Sequence, residues 1–535
     1  MIKKLLTKVL SRSSQKIFKT PQDDTQETRT LTSDIDTNLQ ILHDFFHLCE
    51  DIVSKEFILN LPTSTRSFII YADSLCDPVM INESILKPIM QENYFQVQEI
   101  TTMNASLPQI ILKRILINHQ AKPVSDIQQL SNFLLNGHLI LVIDGYSTAI
   151  AIAVQGYEER AVNEPSSEQN IRGPRDSFVE SLPTNVSLLR RRIRSSRLKY
   201  QSMTLGEISQ TKVGICYIQG IANDKIVKEV KVRLNRINID SIMDSGYIEE
   251  LIADESLTLF PLVQNTERPD RTAASLFEGK IAIIVDNTPS VLIVPCTIVS
   301  LFQASEDYYN NNIFATLIRI GRFFAINIAL IAPAITVAVF SNNAELIPLN
   351  FLTTVAGARS DLPFPISIEI ILMELTFELL REAGVRLPRT VGQAISTVGG
   401  LVIGQAAVTA GIVSPITVIV VSITAIASFV FPDYSLGTSI RILRFVLIIL
   451  SSFLGLFGIV AGLMVILFHL CGLRSFGVPY LWPIAPLSVR DLKDTFVRAP
   501  WWAMSTRPSL TTDKESLRQA SKQGPTKPDK EVNDQ

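Results

Sequence analysis

The stretch PFPISIEIILMELTFELLREAGVRLP, residues 363–388, decides how the rest of the chain is organised. Proline fits the first turn of a helix and disfavours helix before it, so Pro363 and Pro365 predict a helix start, and Gly384 with Pro388 predict its end. The predicted helix is apolar but carries three acidic residues: Glu369, Glu374 and Glu378. Acidic side chains are costly at membrane depth, so these glutamates are candidate functional positions if the helix enters a membrane.

The three glutamates do not share one face of this helix. Glu374 and Glu378 are four residues apart and Arg381 follows three residues later, so one face brings these side chains together. Glu369 lies about 140° round from Glu374, on a face of Ile, Leu and Phe. Two interpretations stay open. The residues are intramembrane acids with a function, or the helix is interfacial or re-entrant and its acids reach headgroups or salt-bridge partners.

The composition divides the chain into a charged part and an apolar part. The 535 residues are 47% hydrophobic and 19% charged, with a formal net charge of -2. No lysine occurs between Lys280 and Lys493, so the charges are concentrated towards the two ends. This division predicts soluble units joined to a membrane domain. The near-neutral charge argues against nucleic acid as a partner.

The sequence lacks the common motifs of catalysis and cofactor binding. It contains no GxxxxGK[ST] loop, HExxH, GxSxG or dinucleotide fingerprint. The five cysteines are scattered without a CxxC pair: Cys49, Cys76, Cys216, Cys296 and Cys471. They indicate neither a disulfide framework nor a metal site. We therefore expect no enzyme, no cofactor and no bound metal.

Residues 1–310 predict an α/β N-terminal region of two subdomains. The segments are a disordered basic and polar arm over 1–34, subdomain 1 over 35–160, a connection with a basic helix over 161–200, and subdomain 2 over 201–310. The basic helix carries Arg190, Arg191, Arg192, Arg194, Arg197 and Lys199. Such a cluster can bind phosphate, RNA or anionic lipid, or it can pack on acidic partners. The arm has no signal-peptide pattern, so we expect the region to be cytosolic.

Two similar hairpins support this division. GHLILVIDGYSTAIAI over 137–152 aligns without a gap with GKIAIIVDNTPSVLIV over 279–294. Apolar runs flank a turn that begins at Asp144 in the first copy and at Asp286 in the second. The second hairpin excludes a membrane helix over 281–302, which hydropathy alone would suggest.

Two segments of the α/β region have local secondary-structure predictions. TNLQILHDFFHL has helical spacing, with Thr37 or Asn38 as its N-cap. IVKEVKVRLNRI, residues 226–237, is predicted as a strand.

An all-α multipass membrane domain is expected over 311–473, followed by a tail over 474–535 that is disordered from about 505. Four spans are predicted, over 323–340, 391–413, 416–431 and 445–470. Pro333 should kink the first, and the third follows a break at Ser414-Pro415. The arginines around the spans favour the cytosol, yet no count of simple crossings satisfies all of them.

The second predicted span has a face of small and weakly polar residues: Gln393, Ser396, Thr397, Gly400, Gly404, Ala407 and Gly411. This face serves close helix packing, or it lines a water-filled path in an assembly. The last span contains a similar pair, Gly458 and Gly462. The prolines Pro333, Pro363, Pro365 and Pro415 would allow helices to bend or break.

Several long blocks resemble one family, the A subunits of bacterial spore germinant receptors of the GerA type. The blocks include EPSSEQNIRGPRDSFVESLPTNVSLLRRRI over 164–193, FPLVQNTERPD over 260–270, SEDYY over 305–309, DLPFPISIEIILMELTFELLREAGVRLP over 361–388 and FPDYSLGTSIRILRF over 431–445. The resemblance covers roughly residues 35 to 505.

The resemblance implies a multipass subunit of the inner spore membrane that acts with a transporter-like B subunit and a lipoprotein C subunit. Such a complex starts germination in response to nutrients, with the ligand expected on a partner subunit. The A subunits are thought to form a homo-oligomeric ring that passes ions. The resemblance brings no catalytic residues. Two other interpretations remain, a secondary transporter that itself binds substrate and a non-conducting scaffold subunit.

Overall fold

The computed structural model describes residues 30–61, 63–90, 107–112, 120–156, 165, 168, 170–360, 362–387, 400, 402–513, 516–520 and 523–525. Most of the arm predicted over 1–34 lies outside these residues. So do Pro388 and the first part of the span predicted from residue 391, including Gln393, Ser396 and Thr397.

The first sheet consists of five antiparallel strands in the order β1-β2-β4-β5-β3. These are β1 Ile52–Leu61, β2 Thr63–Ala72, β3 Ala121–Val124, β4 His138–Ile143 and β5 Ala149–Ala153. Helices α1 Ile35–Phe45 and α2 Ile127–Leu134 cover one face. The other face packs on a π-helical segment Met80–Leu86, which continues as Lys87–Met90, and on residues around Leu107–Ile110. The sheet is therefore buried on both faces.

The second sheet has the same strand order, β6-β7-β9-β10-β8. Its strands are β6 Leu198–Leu205, β7 Thr211–Ile218, β8 Gln264–Thr266, β9 Ile281–Val285 and β10 Val291–Val294. Five helices accompany it: α3 Leu182–Arg192, α4 Asp224–Asn235, α5 Ser245–Ile252, α6 Pro269–Phe277 and α7 Ile298–Phe302. Taken in chain order, the five strands of one sheet occupy the same places as the five strands of the other.

Both predicted hairpins are confirmed. Strands β4 and β5 pair antiparallel, and β9 pairs with β10 in the same way. The two turn aspartates also have equivalent contacts. Asp144 accepts a hydrogen bond from the backbone N–H of Ile35 at 3.2 Å, and Asp286 accepts one from Leu182 at 3.0 Å. Each turn thus holds the first residue of the helix that begins its subdomain, α1 or α3.

Two local predictions were wrong. Residues 226–237 lie mostly in α4, because Ile226, Val230 and Leu234 recur at helical spacing on a buried face and Asn223 caps the helix start. Helix α1 begins earlier than predicted, since Asp34 is its N-cap and accepts from the backbone N–H of Thr37 at 2.9 Å.

The C-terminal region is helical. Its helices are α8 Asn312–Ser341, α9 Leu349–Arg359, α10 Ile366–Arg386, α11 Pro415–Ser428 and α12 Tyr434–Gly472. Among the described residues, α8 and α12 are the two elements long and apolar enough to cross a membrane, with 30 and 39 residues, and α12 is interrupted at Gly455. Helix α11 has 14 residues and is shorter than the span predicted over 416–431. In the segment predicted over 391–413, residues 402–409 are helical.

Helix α12 is a helical hairpin, which corrects the single span predicted over 445–470. The backbone of Gly455 is non-helical, with φ 58° and ψ -141°. A Cβ atom on Gly458 would lie 2.3 Å from the carbonyl oxygen of Leu450, a distance impossible in a continuous helix. The arms also meet one loop at their other ends. The Ser439 hydroxyl donates to the Leu259 carbonyl, and His469 Nε2 lies 2.9 Å from Thr258 Oγ1.

The tail returns to the second sheet. A short strand pair, Arg474–Ser475 with Val478–Pro479, follows α12, and Ser475 Oγ accepts from the backbone N–H of Cys296 at 2.9 Å. Further on, the Asn223 N–H donates to the Thr511 carbonyl at 3.1 Å. Described residues beyond 505 are therefore held on subdomain 2, in the stretch where the composition predicts disorder.

Candidate functional site in the helical region

Helix α10 begins after the two prolines that predicted it. Pro365 is its N-cap residue, with φ -65° and ψ 153°, and Pro363 lies two residues earlier. The helix contacts α8, α11 and α12. Both Glu369 and Glu374 are buried, as expected for acids on a helix with neighbours around it.

Glu369 is fully buried and holds the start of α11. One carboxylate oxygen accepts from the backbone N–H of Ser414 at 2.8 Å and from Thr417 Oγ1 at 3.0 Å. The other accepts from the Arg359 guanidinium at 3.1 Å. The first turn of a helix has unpaired N–H groups and a positive dipole end, so a carboxylate there is favourable. Glu369 thus links α10 to α9 and α11.

Glu374 forms an ion pair with Arg444 of α12. The two charged groups are 2.7 Å apart, and each side chain is 1% exposed. Within the described part of the chain, Glu374 Oε1 and Arg444 Nε have no hydrogen-bond partner. The charges are thus compensated, while the hydrogen-bonding capacity of both groups is only partly used.

Glu378 and Arg381 complete the contacts of α10. Glu378 lies 3.2 Å from Arg381, 3.7 Å from Arg444 and 3.9 Å from Arg441. Arg381 donates to the Ser428 hydroxyl at 2.7 Å. Its guanidinium also lies over the rings of Phe377 and Phe429, at 5.2 and 5.3 Å from their centroids. The acids of α10 are therefore held by arginines of the same chain, and together they join four helices.

Part of the small-residue face borders an apolar cavity of about 450 Å³. Gly400 and Gly404 line it together with residues of α10 and α11. A Cβ atom on Gly400 would meet no described atom within 4 Å, and one on Gly404 would lie 3.6 Å from Val418. Ala407 is half-buried. Gly411 has a φ of 64° in the turn before α11, where glycine is favoured.

The remaining prolines lie at distinct places in their helices. Pro333 is inside α8 and buried, and Pro415 is the first residue of α11, where its missing N–H costs no helical hydrogen bond.

The basic cluster that begins in the last turn of α3 contributes to the contact between the two subdomains. Arg190 is fully buried and forms two hydrogen bonds of 2.7 Å with Asp51. Arg192 pairs with Asp176, and Lys199 lies in β6, with its ammonium 3.9 Å from Cys49 Sγ. The single basic helix predicted from Arg190 to Lys199 was wrong, since α3 ends at Arg192.

Two of the arginine partners, Arg359 and Arg444, were not predicted from the sequence, whereas Arg381 was expected beside Glu378 and lies 3.2 Å from it. Arg359 and Arg444 lie 10 and 70 residues from their glutamates, on other helices. The one feature of the sequence that marks Arg444 is its place directly before the apolar run of α12. No group of three or more metal-binding side chains occurs among the described residues.

Comparisons with known proteins identify the family. A family model described as Bacillus/Clostridium GerA spore germination protein matches residues 40–510. Spore germination protein KA of Bacillus subtilis is 44% identical over 475 residues, 89% of this chain and 86% of that protein. An uncharacterized membrane protein of the same organism, YfkQ, is 40% identical over 94% of this chain and 96% of its own length. Spore germination protein GerLA of Bacillus cereus is 40% identical over 84% of this chain and 90% of its own.

A solved structure is also similar, the N-terminal domain of the A subunit of the Bacillus megaterium spore germinant receptor GerK3. It is 32% identical, covers 50% of this chain and 97% of that chain, and has a TM-score of 0.40. The match of the family model over most of the chain shows that this protein belongs to the GerA family of spore germination proteins.

Proposed function

We propose that the chain is the A subunit of a nutrient receptor that triggers spore germination from the inner spore membrane. In this proposal it acts with a transporter-like B subunit and a lipoprotein C subunit, and the nutrient binds a partner. Its helical region assembles with further copies into a ligand-gated ion path. The family match over residues 40–510 carries the role in germination.

The hairpin at Gly455 supports a multipass arrangement with both ends on one side. Both arms of α12 meet the loop at Thr258 and Leu259, so this pair adds two crossings. Helix α8 leaves the α/β region, and α10 returns to it, since Arg381 reaches Ser428 near the start of α12. Residues 402–409 and α11 form a further pair around the turn that Glu369 holds. Whether this pair crosses or only enters and returns, the total is even. The arginines at 381, 441 and 444 then share the cytosolic half.

The ion path draws support from the space beside the small-residue face. Gly400 and Gly404 leave a cavity of about 450 Å³ next to α10, and the arrangement brings this space close to Arg381 and Phe429. Helices lined by small residues can approach copies of themselves or leave room for water. An assembly that opens this space would provide a path, and differential ligand binding by the complex would supply the free energy for opening.

A second candidate function is a non-conducting scaffold. The observation in its favour is that Glu369 and Glu374 are buried against arginines and helix ends within one chain. Acids held in this way connect helices, and in a scaffold the small-residue face would serve packing alone.

Cation flux from liposomes separates the two functions. We expect monovalent-cation release when the A subunit is present with its partner subunits and a nutrient that triggers the source spores. Gly400→Leu places a side chain in the open cavity and should lower the flux at least tenfold, while the complex still assembles. The control is Gly357→Leu, another helical glycine whose Cβ would meet no described atom within 4 Å.

The outcomes of this experiment differ between the functions. Full flux in the Gly400→Leu protein would remove this face from the path. Loss of assembly in the same variant would favour packing. No flux from the wild-type complex, with the nutrient present, would favour the scaffold.

A further inference from the structure

A buried cation without a hydrogen-bond partner lies between the second sheet and the tail. Lys280 directly precedes β9, and 7% of its surface is exposed. Among the described residues, its ammonium group forms no hydrogen bond and no ion pair. Burial lowers the pKa of Lys280, while the neighbouring Cys296 and Glu278 favour its charged form. A buried charge that lacks a partner is unfavourable, so the site is suited to an anion.

Lys280 borders two partly open cavities. Two adjacent cavities of about 120 and 80 Å³ share it as a lining residue, together with Glu278, Ser300 and Gln303. Helices α6 and α7 form one side. The tail closes the other with Lys493 and Arg518. The combined space holds several water-sized groups, which is enough for a small metabolite but not for a peptide.

The other charged side chains on these walls already have partners. Arg518 lies 3.4 Å from Glu278, Lys493 donates to Thr506 Oγ1 at 2.5 Å, and Asp491 accepts from Ser488 at 2.6 Å. Asp494 pairs with Arg319 at 2.7 Å. Within the described part of the chain, Lys280 is therefore the one charge on these walls that no hydrogen bond or ion pair satisfies.

We propose that this cavity binds a small molecule or ion through an anionic oxygen group, a carboxylate or a phosphate, that accepts hydrogen bonds from Lys280. Arg518 and Lys493 add positive potential from the tail. The Gln303 amide supplies a polar contact on the opposite wall. The site lies wholly within the α/β region and the tail, and the proposal is independent of whether the helical region conducts ions.

Its position connects the site to the first membrane helix. Asp494 lines the cavity and accepts hydrogen bonds from Arg319 of α8 and from the Tyr308 hydroxyl, each at 2.7 Å. The Gln303 amide donates to the Asp494 carbonyl at 2.7 Å. A bound anion would therefore lie in the same cavity as the residue that holds the beginning of α8, and we assign the site to an effector from the cytosolic side.

Thermal unfolding of the full chain in detergent tests the proposal. Sodium phosphate and sodium succinate are titrated separately against sodium chloride at equal ionic strength. One of the two anions should raise the melting temperature by at least 3 °C in a saturable manner. The rise should disappear in Lys280→Met and persist in Lys212→Met, which removes an exposed lysine of β7. Saturation by phosphate alone, or by succinate alone, distinguishes the two ligand groups.

A second measurement uses only the wild-type chain, so it holds even if Lys280→Met fails to fold. Acylation of Lys280 by a small amine-reactive reagent is followed by mass spectrometry. Saturating anion should slow it at least fivefold, while acylation of Lys212 continues unchanged. An unchanged rate at Lys280 would overturn the proposal. So would a melting shift that follows ionic strength alone or that survives in Lys280→Met.

Discussion

At the scale of single residues, the protein places charges in apolar surroundings and compensates them across helices. Glu374 and Arg444 are both 1% exposed, so neither is solvated if the other is removed. The positions of the glutamates could be predicted from the sequence, because an acid in an apolar run is visible there. Their partners could not be, since a contact between α10 and α12 depends on how the helices pack.

Glu374→Gln should destabilise the protein by about 3 kcal/mol, because it removes the buried 2.7 Å ion pair of Arg444 and leaves only Glu378, 3.7 Å away, as a countercharge. The measurement is thermal unfolding in detergent. Glu382→Gln is the matched control, since Glu382 forms an exposed ion pair with Arg386 on the same helix and should change stability by less than about 1 kcal/mol. Equal unfolding temperatures for the two variants would contradict the prediction.

Glu249 in α5 should make stability depend on pH. Burial raises its pKa to about 7, and the neighbouring Asp433 and Asp244 act in the same direction. The unfolded chain releases this proton near pH 4.5, whereas the folded protein retains it up to about pH 7. Stability from this group is therefore fully present below pH 4.5 and declines as the pH rises to 7.

Unfolding measured between pH 4.5 and 8 checks this sign. Glu249→Gln should flatten the decline and be more stable than the wild type at pH 8. A variant with the wild-type slope would show that Glu249 titrates normally. Glu250→Gln, the next residue and an exposed one, is the control.

At the scale of elements, local turn chemistry was the most predictable feature. The turns at Asp144 and Asp286 consist of turn-forming residues between two apolar runs, a pattern that predicts a hairpin. Both predicted hairpins are present. The strand prediction for residues 226–237 was wrong because it relied on their β-branched residues, which favour strands, although the spacing of the apolar residues suits a helix. The reversal at Gly455 was not predicted because apolar residues continue on both sides of it. A glycine within an apolar run does not by itself distinguish a turn from close helix packing.

Gly455→Ala should lower stability by more than about 2 kcal/mol. Its backbone angles are accessible almost only to glycine, and an added Cβ would lie 2.6 Å from Asn343 Oδ1. Asn343 also accepts from the Leu456 N–H at 3.2 Å, so the clash acts on the contact that joins the hairpin to α8. The control is Gly472→Ala, where a Cβ meets no described atom within 4 Å. Similar unfolding temperatures would show that the reversal tolerates a side chain.

At the scale of the whole molecule, the repeat, the helices and the tail form one connected arrangement. The duplicated α/β region was visible in the sequence because its two copies align without a gap. The arrangement of helices was not, since it depends on the reversal of the chain at Gly455, which the sequence does not show. The place of the tail depends on contacts with residues nearly 300 positions earlier, such as Asn223 with Thr511.

We expect Cys471 and the tail to lie on the same side of the membrane as the α/β region. Cys471 is exposed, while the other four cysteines are buried, so an impermeant maleimide should label the wild type at this residue. In vesicles of known orientation, labelling should come from the side on which a protease cleaves the tail. Glu345→Cys in a Cys471→Ser background should react from the opposite side. Labelling of both positions from one side would contradict an arrangement in which α8 crosses once and Cys471 lies again on the side of the α/β region.

The contact of the tail with the second sheet also bears on the order of biosynthesis. A ribosome completes β9 and β10 long before it reaches Thr511, and every helix of the apolar region is made in between. The wall opposite Lys280 is therefore absent while the apolar helices are being made. The cavity closes only when translation is nearly finished, so a nascent chain with misplaced helices would leave this surface uncovered and open to quality-control proteases.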